Sequence, residues 1–343
     1  MFNRRIRLVA CLGTMVAILA AGAARAQSSS GTNGPAKEPV SVRLTWKYKG
    51  EHAPLFVAIE KGYYAAEGLD VHPAEGSGAE TVVKLIASGA EKIGFGPATA
   101  VAEAVSNGLP VEAIAVYQPV TPFGIISFPD IPLKTPKDLE GKNLGLTVNE
   151  TFANLLDPFL KLNDVDPDKV TRVVLDYSSR NTLFMTRKLD VMSTFLNVDV
   201  PLIEKKTGIK FNKLVIGDFG MKLLGDCFFV NKEYAQSHGD VLRKLLAGTA
   251  RGYVEAQKDP AAAAAALAKH MTVGNDPEIL ETQLRETLVA IPLPADKPYG
   301  WQDRSSWQNN LEILKDADVI KTVYDVNRYF TNEYLDNARK PER

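Results

Sequence analysis

The sequence predicts an α/β protein of two lobes, each a mainly parallel sheet flanked by helices, with two segments crossing between them. Three observations carry that reading. Strand-like and helix-like runs alternate from Val40 onward, the alternation restarts in a new register near residue 128, and the last third is almost wholly helical. Strand–helix alternation builds a parallel sheet with helices on its faces. Late helices with no strands of their own must cover a sheet that already exists.

Residues 1–26 lie outside that fold. The basic "MFNRRIR", the apolar "LVACLGTMVAILAAG" and the small-x-small "ARA" before Gln27 are the three regions of a secretory signal peptide. The apolar run is short for a membrane span, so a retained anchor is the poorer reading. Cys11 precedes most of that run, which argues against lipidation, and the surroundings of Arg4-Arg5 are poor for twin-arginine export. Cleavage would remove four arginines and no acids, leaving 36 basic and 41 acidic side chains. A net acidic chain excludes nucleic acid, whose binding needs a basic face. Cys227 would be the one remaining cysteine, so no intrachain disulfide can form; within "GDCFFVN" it reads as a small buried hydrophobe. Residues 27–39, largely "SSSGTNGPAKEP", have the composition of a disordered tether.

From Val40 the elements follow in order. "SVRLTW", "LDVHPA", "KIGFG" and "VEAIAVYQ" read as strands, separated by the helical "APLFVAIEKGYY", "AETVVKLIASG" and "ATAVAEAVSNG". In the first helix Leu55, Ile59 and Tyr63 recur at helical spacing, and Lys61-Gly62 and Glu67-Gly68 mark stops. "GIISF" is apolar, and Pro129 and Pro132 then interrupt the pattern. A second series follows: strand "NLGLT", helices "FANLLDPFLKLND" and "DPDKV", strand "RVVLDY", helix "NTLFMTRKL", strand "DVMSTFL". The strand-like "LLGDCFFVN" closes it, and the remainder is helical. Asp166-Pro167, Asp259-Pro260 and Asp276-Pro277 each set an N-cap acceptor before a proline suited to the first turn. With "GIISF" and "DCFFV" as the crossings, the first lobe takes 40–127 and 226–343 and the second 128–225. Two independent consecutive domains are the other arrangement.

The order and spacing of several segments resemble a known family: "LTWKYKGEHAPLFVAIEKGYYAAEGLDV", "GAEKIGFGPATAVAEAVSNGLPVEAIAVYQ", "TPKDLEGKNLGLT", "KLDVMSTFLNVDVPLIEKKTG" and "VNKEYAQSHGDVLRKLLAGTARGYVEAQKDP". These are similar to the solute-binding proteins of ABC importers, in the branch holding thiamine-pyrimidine-precursor, riboflavin and sulfonate or nitrate binders and the yeast-type pyrimidine synthase. The resemblance runs from about Val40 to Leu335. It implies a type II periplasmic-binding fold, a periplasmic location, a monomer that closes on a small-molecule solute, and delivery to an ABC permease with its ATPase. No cofactor is implied. The segments around "HAPLFVA" and "DVMSTFLNVDVPLIEKK" look most like the pyrimidine-precursor binders. Thr45 stands where those carry an acid, and "KYKGE" replaces their Asn/Pro-rich loop, so a sulfonate, nitrate or aromatic carboxylate remains the alternative ligand. The synthase carries a cysteine-rich motif that is absent here, so a binding protein is expected rather than an enzyme.

Ligands of doubly wound sheets sit at the carboxyl ends of the strands, which selects the candidates. Trp46 offers a flat face for ring stacking or a core tryptophan; His52 offers a ring-nitrogen partner or a helix cap. Ser77 and Thr99 lie in the Gly-containing strand-to-helix turns "EGSGAET" and "GFGPATA", which would offer backbone N–H groups as well. Neither turn matches a nucleotide-binding motif. Gln118 ends its strand at the same edge. In the second lobe Asn149 and Thr151 occupy the corresponding turn "TVNETF". Tyr177 and Arg180 open a helix in "DYSSRNT", Arg180 being either an anion ligand or a solvated surface side chain. Phe195 and Asn197 end the next strand, and Asp226 at the return crossing would accept an amino or ring N–H. No second histidine stands at metal-ligand spacing, so no metal is expected. The export signal predicts a mature N-terminus at Gln27. N-terminal sequencing of exported protein should read Gln-Ser-Ser, and a start at Met1 would refute the cleavage.

Overall fold

The structure, a computed structural model, describes residues 36–148, 151–291 and 296–335; the expected export signal and residues 27–35 of the tether lie outside them. The end of the tether expected at 39 is corrected, because Glu38 and Pro39 already pair in the first strand. The first lobe opens with β1 (Glu38–Leu44), α1 (Ala53–Glu60), α2 (Tyr63–Ala66), β2 (Leu69–Ala74), α3 (Ala79–Ala87), β3 (Ile93–Pro97), α4 (Ala98–Ser106) and β4 (Val111–Val116). The second comprises β5 (Phe123–Ser127), β6 (Asn143–Thr147), α5 (Thr151–Leu162), β7 (Thr171–Leu175), α6 (Tyr177–Met185), β8 (Val191–Phe195), α7 (Asp199–Thr207) and β9 (Asn212–Val215). The chain returns through β10 (Asp226–Asn231) to α8 (Lys232–Ser237), α9 (Gly239–Lys258), α10 (Pro260–Ala268), α11 (Pro277–Val289) and α12 (Arg304–Asp316).

The two sheets share one plan. Their strand orders are β2-β1-β3-β10-β4 and β7-β6-β8-β5-β9. In each, a parallel trio (β1 with β2 and β3; β6 with β7 and β8) is followed by one antiparallel strand. That odd strand is the one that has just crossed, β10 in the first sheet and β5 in the second. Sheet membership corrects the boundary expected at 127: Phe123–Ser127 pairs with β8 and β9, so it belongs to the second lobe. All five of its residues are buried, and an apolar run with no exposed face fits either sheet equally well.

Local chemistry explains most boundaries. Val40, Val42 and Leu44 alternate inward along β1. The first helix breaks at Gly62, which adopts φ +71°. Asp166, Asp259 and Asp276 each accept a backbone N–H from the turn they precede, as the Asp-Pro pairs predict. β7 stops at Leu175, short of the predicted "DY", because Asp176 caps α6 by accepting the amides of Ser178 and Ser179. Three elements, α7, α8 and β9, were not anticipated; β9 and α8 are only four and six residues long. The late helices return to the first lobe, where α9 and α10 pack on α1 and leave it buried from Ala53 to Ala58. The C-terminal segment also shields the β4 edge, through Ala113 N–H to Tyr329 O and Val116 N–H to Gly300 O.

The crossings run side by side. The amides of Tyr117 and Gln118 donate to Asp226 O at 3.0 and 3.3 Å, Gly225 donates to Gln118 O at 2.9 Å, and Thr121 donates to Leu223 O at 2.8 Å. Both lobes are therefore joined through one short two-stranded ribbon, the geometry of a hinge. The ribbon is tight at Gly225, where an added Cβ would lie 2.6 Å from the Gln118 Cβ and Oε1. Gly225→Ala should force the strands apart and lower stability by about 1–3 kcal/mol. Urea denaturation checks this, and an unchanged midpoint would show that the ribbon yields freely.

Candidate functional site

The loop after β1 opens the site. Gly50 approaches α11 so closely that a Cβ would meet Leu280 O at 2.2 Å, and its amide donates to Gln283 Oε1 at 2.8 Å. This docking turns the Gly50–His52 segment into the first turn of α1's approach and aims Glu51 between the lobes. His52 is buried and accepts the Lys49 amide on Nδ1 at 3.0 Å, which leaves the proton of the neutral ring on Nε2. Burial pulls its pKa down to about 4. The ring is thus neutral near pH 7, and its 4.0 Å approach to Glu51 Oε1 is not an ion pair.

Glu51 is the centre of the arrangement. Its Oε2 accepts Asn197 Nδ2 from the second lobe at 3.0 Å and Gln118 Nε2 from the first crossing at 3.4 Å. Gln118 Oε1 in turn accepts the Asp226 amide of the second crossing at 3.4 Å. Asn197 Nδ2 also reaches Thr287 Oγ1 at 2.8 Å, and the Thr287 hydroxyl donates to Gln283 O. Because that hydroxyl proton is already committed, Thr287 can only accept from Asn197, which fixes the orientation of the amide. One network therefore joins both crossings, both lobes and α11.

Two carboxyls, those of Glu51 and Asp226, lie at this network, and Lys49 is the cation whose charge reaches Glu51. Burial, reinforced by the charge of Asp199, raises the Glu51 pKa against the hydrogen bonds of Asn197 and Gln118 that oppose the rise. Burial and then Glu51 raise Asp226 well above the usual carboxylate range. The Asp226 carboxyl makes no hydrogen bond to any described residue, and Asn197 Oδ1 and Tyr117 Oη are buried without partners. Beneath them Tyr117 and Tyr253 stack at 4.5 Å, with Tyr299 5.4 Å from Tyr253. The site is an aromatic floor under acceptor-rich polar groups. Among the described residues no group of three or more His, Cys, Asp or Glu is arranged to hold a metal.

Of the residues expected from sequence, the structure brings together His52, Gln118, Asn197 and Asp226. Thr99 is buried in the first turn of α4, its hydroxyl bonded to no described residue, and the helix's leading amide, that of Ala98, is taken by Gly225 O instead of facing a ligand. Trp46 is 48% exposed and has no ring neighbour, so the core alternative is excluded. Ser77 is exposed, and its turn is tied back to β1 by the Gly76 and Gly78 amides. Arg180 is 2% exposed, which excludes the solvated alternative; it donates to Ser193 O at 2.7 Å and to Asn181, and its guanidinium lies 5.3 Å from the Tyr177 ring centre. Tyr177 donates to Asp199 Oδ1 at 2.8 Å. Phe195 is 42% exposed, edge-on to Phe123. Asn149 and the Thr151 side chain lie outside the described residues.

Sequence reasoning missed Glu51, Asp199, Tyr117, Tyr253, Gln283 and Thr287. One signal was available: Gln283 and Thr287 interrupt the apolar stripe of α11 at i, i+4 beside Leu280 and Leu284, marking polar groups on a buried face.

Comparison with known proteins agrees with this fold. Residues 49–263 match the family model described as NMT1/THI5 like. The chain is 27% identical to the formylaminopyrimidine-binding protein of Halalkalibacterium halodurans, over 87% of this chain and 91% of that one. It is 21% identical to the 4-amino-5-hydroxymethyl-2-methylpyrimidine phosphate synthase of Legionella pneumophila, over 87% and 93%. Its fold matches the periplasmic aliphatic sulphonate binding protein SsuA of Escherichia coli with a TM-score of 0.67 at 14% identity, over 85% of this chain and 91% of that one.

Neutral His52 gives a pH signature. The unfolded ring protonates near pH 6.5 and the folded one near 4, so the unfolded state binds the extra proton between those values. Stability present above pH 6.5 is lost as pH falls toward 4, by about 3 kcal/mol through this group. His52→Gln should flatten the stability–pH slope in that window relative to the parent. Equal slopes in urea titrations at pH 4.5 and 7 would remove His52 from the account.

Proposed function

The chain belongs to the NMT1/THI5-like family, and from that premise we propose that it is the periplasmic solute-binding component of an ABC importer. It captures a small heteroaromatic solute, a pyrimidine precursor of thiamine being the type, between two lobes and delivers it as a monomer to a membrane permease and its ATPase. The observation that carries this is the Glu51 network, which draws polar groups from both lobes and both crossings to one place. A ligand seated there touches every part whose relative position changes when the hinge closes, so occupancy and shape are coupled. The stacked tyrosines, each 3% exposed or less, brace these polar groups from behind as packed core. Trp46, at the edge of the first lobe, supplies a further stacking face.

The alternatives are weaker on specific grounds. A sulfonate or carboxylate would face Glu51, Asp226 and Asp199, and the buried Arg180 has neighbours of its own. A synthase role draws on the names of several relatives. The family's cysteine-rich motif is missing, however, and Cys227 lies wholly buried in β10. Binding alone needs no nucleophile or proton shuttle.

Denaturing freshly purified protein should release a small nitrogen heteroaromatic compound identifiable by mass spectrometry. Titrated back in a calorimeter, that compound should bind Trp46→Ala about thirtyfold or more weakly, the usual loss for an aromatic anchor. Arg180→Ala should cost less. The opposite ranking would indicate an anionic ligand, and pyrimidine turnover by the purified protein would indicate an enzyme.

A further inference from the structure

The polar end of the cleft has a chemical sign. Glu51, Asp226 and Asp199 converge there, and the side chains that reach Glu51 from either lobe are the uncharged amides of Gln118 and Asn197. Asn197 is 2% exposed, its amide orientation is fixed by Thr287, and its Oδ1 has no partner. A buried acceptor left unsatisfied inside a cluster of acids lacks a donor, not another acceptor. The half-buried Asp226 carboxyl, with no hydrogen bond from a described residue, adds a further open acceptor on the opposite side of Gln118.

We propose that Glu51, Asp226 and Asn197 form a specificity filter for ligands presenting two or more N–H donors, such as an amino-substituted nitrogen ring or its protonated form, and that this filter rejects anions. The inference rests on the solute-binding reading and narrows it. Glu51 comes from the first lobe, Asn197 from the second and Asp226 from the ribbon, so a donor-rich ligand completes all three at once. A sulfonate or carboxylate would add acceptors and negative charge to a site already over-supplied with both. The positive mouth does not reverse this, because Lys47 is paired to Glu75 at 3.1 Å and the Lys49 charge acts on Glu51 less than burial, the two amides and Asp199 do.

Asp226 separates recognition from structure. Since its half-buried carboxyl accepts no hydrogen bond from a described residue, removing it breaks no side-chain contact of the fold, whereas loss of a structural residue would lower stability. The probes are 4-amino-5-hydroxymethyl-2-methylpyrimidine, its 4-oxo counterpart and benzenesulfonate, titrated by calorimetry into ligand-stripped protein and into Asp226→Leu and Glu51→Gln. The aminopyrimidine should bind, the oxo compound at least tenfold more weakly, and benzenesulfonate not measurably. Asp226→Leu should lose at least tenfold in aminopyrimidine affinity while its melting temperature changes little. Glu51→Gln, which keeps the amide contacts and drops the charge, should gain weak benzenesulfonate binding. Benzenesulfonate binding the parent as tightly as the aminopyrimidine, no aminopyrimidine binding, or unaltered affinity in Asp226→Leu would each overturn the filter. If a retained donor-poor compound is released on denaturation, the filter fails while solute binding stands. If neither a retained compound nor any probe binds, both fail.

Discussion

The hydrogen-bonded pair of crossings is the constraint on which the rest depends. Because the Tyr117 and Gln118 amides both end on Asp226 O, the two connections cannot shift past each other. Their side chains are placed by the same pairing: Gln118 between Glu51 and Asp226, Tyr117 down onto the tyrosine stack. The antiparallel position of β5 and β10 in otherwise parallel sheets follows as well, since each strand leaves the ribbon already pointing against its neighbours. An apolar core runs continuously from the first sheet through Ile216, Met221, Leu223 and Leu224 into the second, so the hinge is braced by packing as well as by hydrogen bonds.

Much of this was legible because it is local. Strand–helix alternation, the Asp-Pro caps and the stop at Gly62 depend on a few neighbouring residues. The strand "GIISF" could be recognised but not assigned to a sheet, because both its faces are apolar. Gln118, Asn197 and Asp226 were found by asking what stands at the carboxyl ends of strands. Glu51 was not, because its meaning comes from Asn197, 146 residues away, and from a helix more than two hundred residues downstream. A glutamate in a loop of lysines reads as a surface charge until its partners are known. Arg180 shows the converse: the residue type pointed to an anion, and the fold buries it beside Ser193 and Asn181.

The charges of the site are ordered by depth. Lysines 47 and 49 stand at the rim, where Lys47 is largely solvated, and uncompensated carboxyls lie at the floor. Exposed ion pairs such as Lys47–Glu75 contribute little to stability, whereas the inner acceptors that the two amides leave open, Asn197 Oδ1 above all, cost stability until something donates to them. A site that is destabilising when empty and satisfied when filled gains binding energy from the very groups that weaken the fold.

The position of α11 has a consequence for signalling to a partner. Gln283 holds Gly50 on one side and donates to Val198 O on the other at 2.6 Å, while Lys205 of α7 meets Asp276 and Glu278 at 2.9 and 2.7 Å. These contacts need no ligand, so the empty protein already has a reason to shut. Exposed pairs of this kind each contribute little and fade with salt. The balance between open and closed lobes is then set by ionic strength as well as by solute. On the importer reading, vacant closed molecules would compete with loaded ones for the same docking partner, so the background of uptake would be written into the helix that also carries Thr287 of the site.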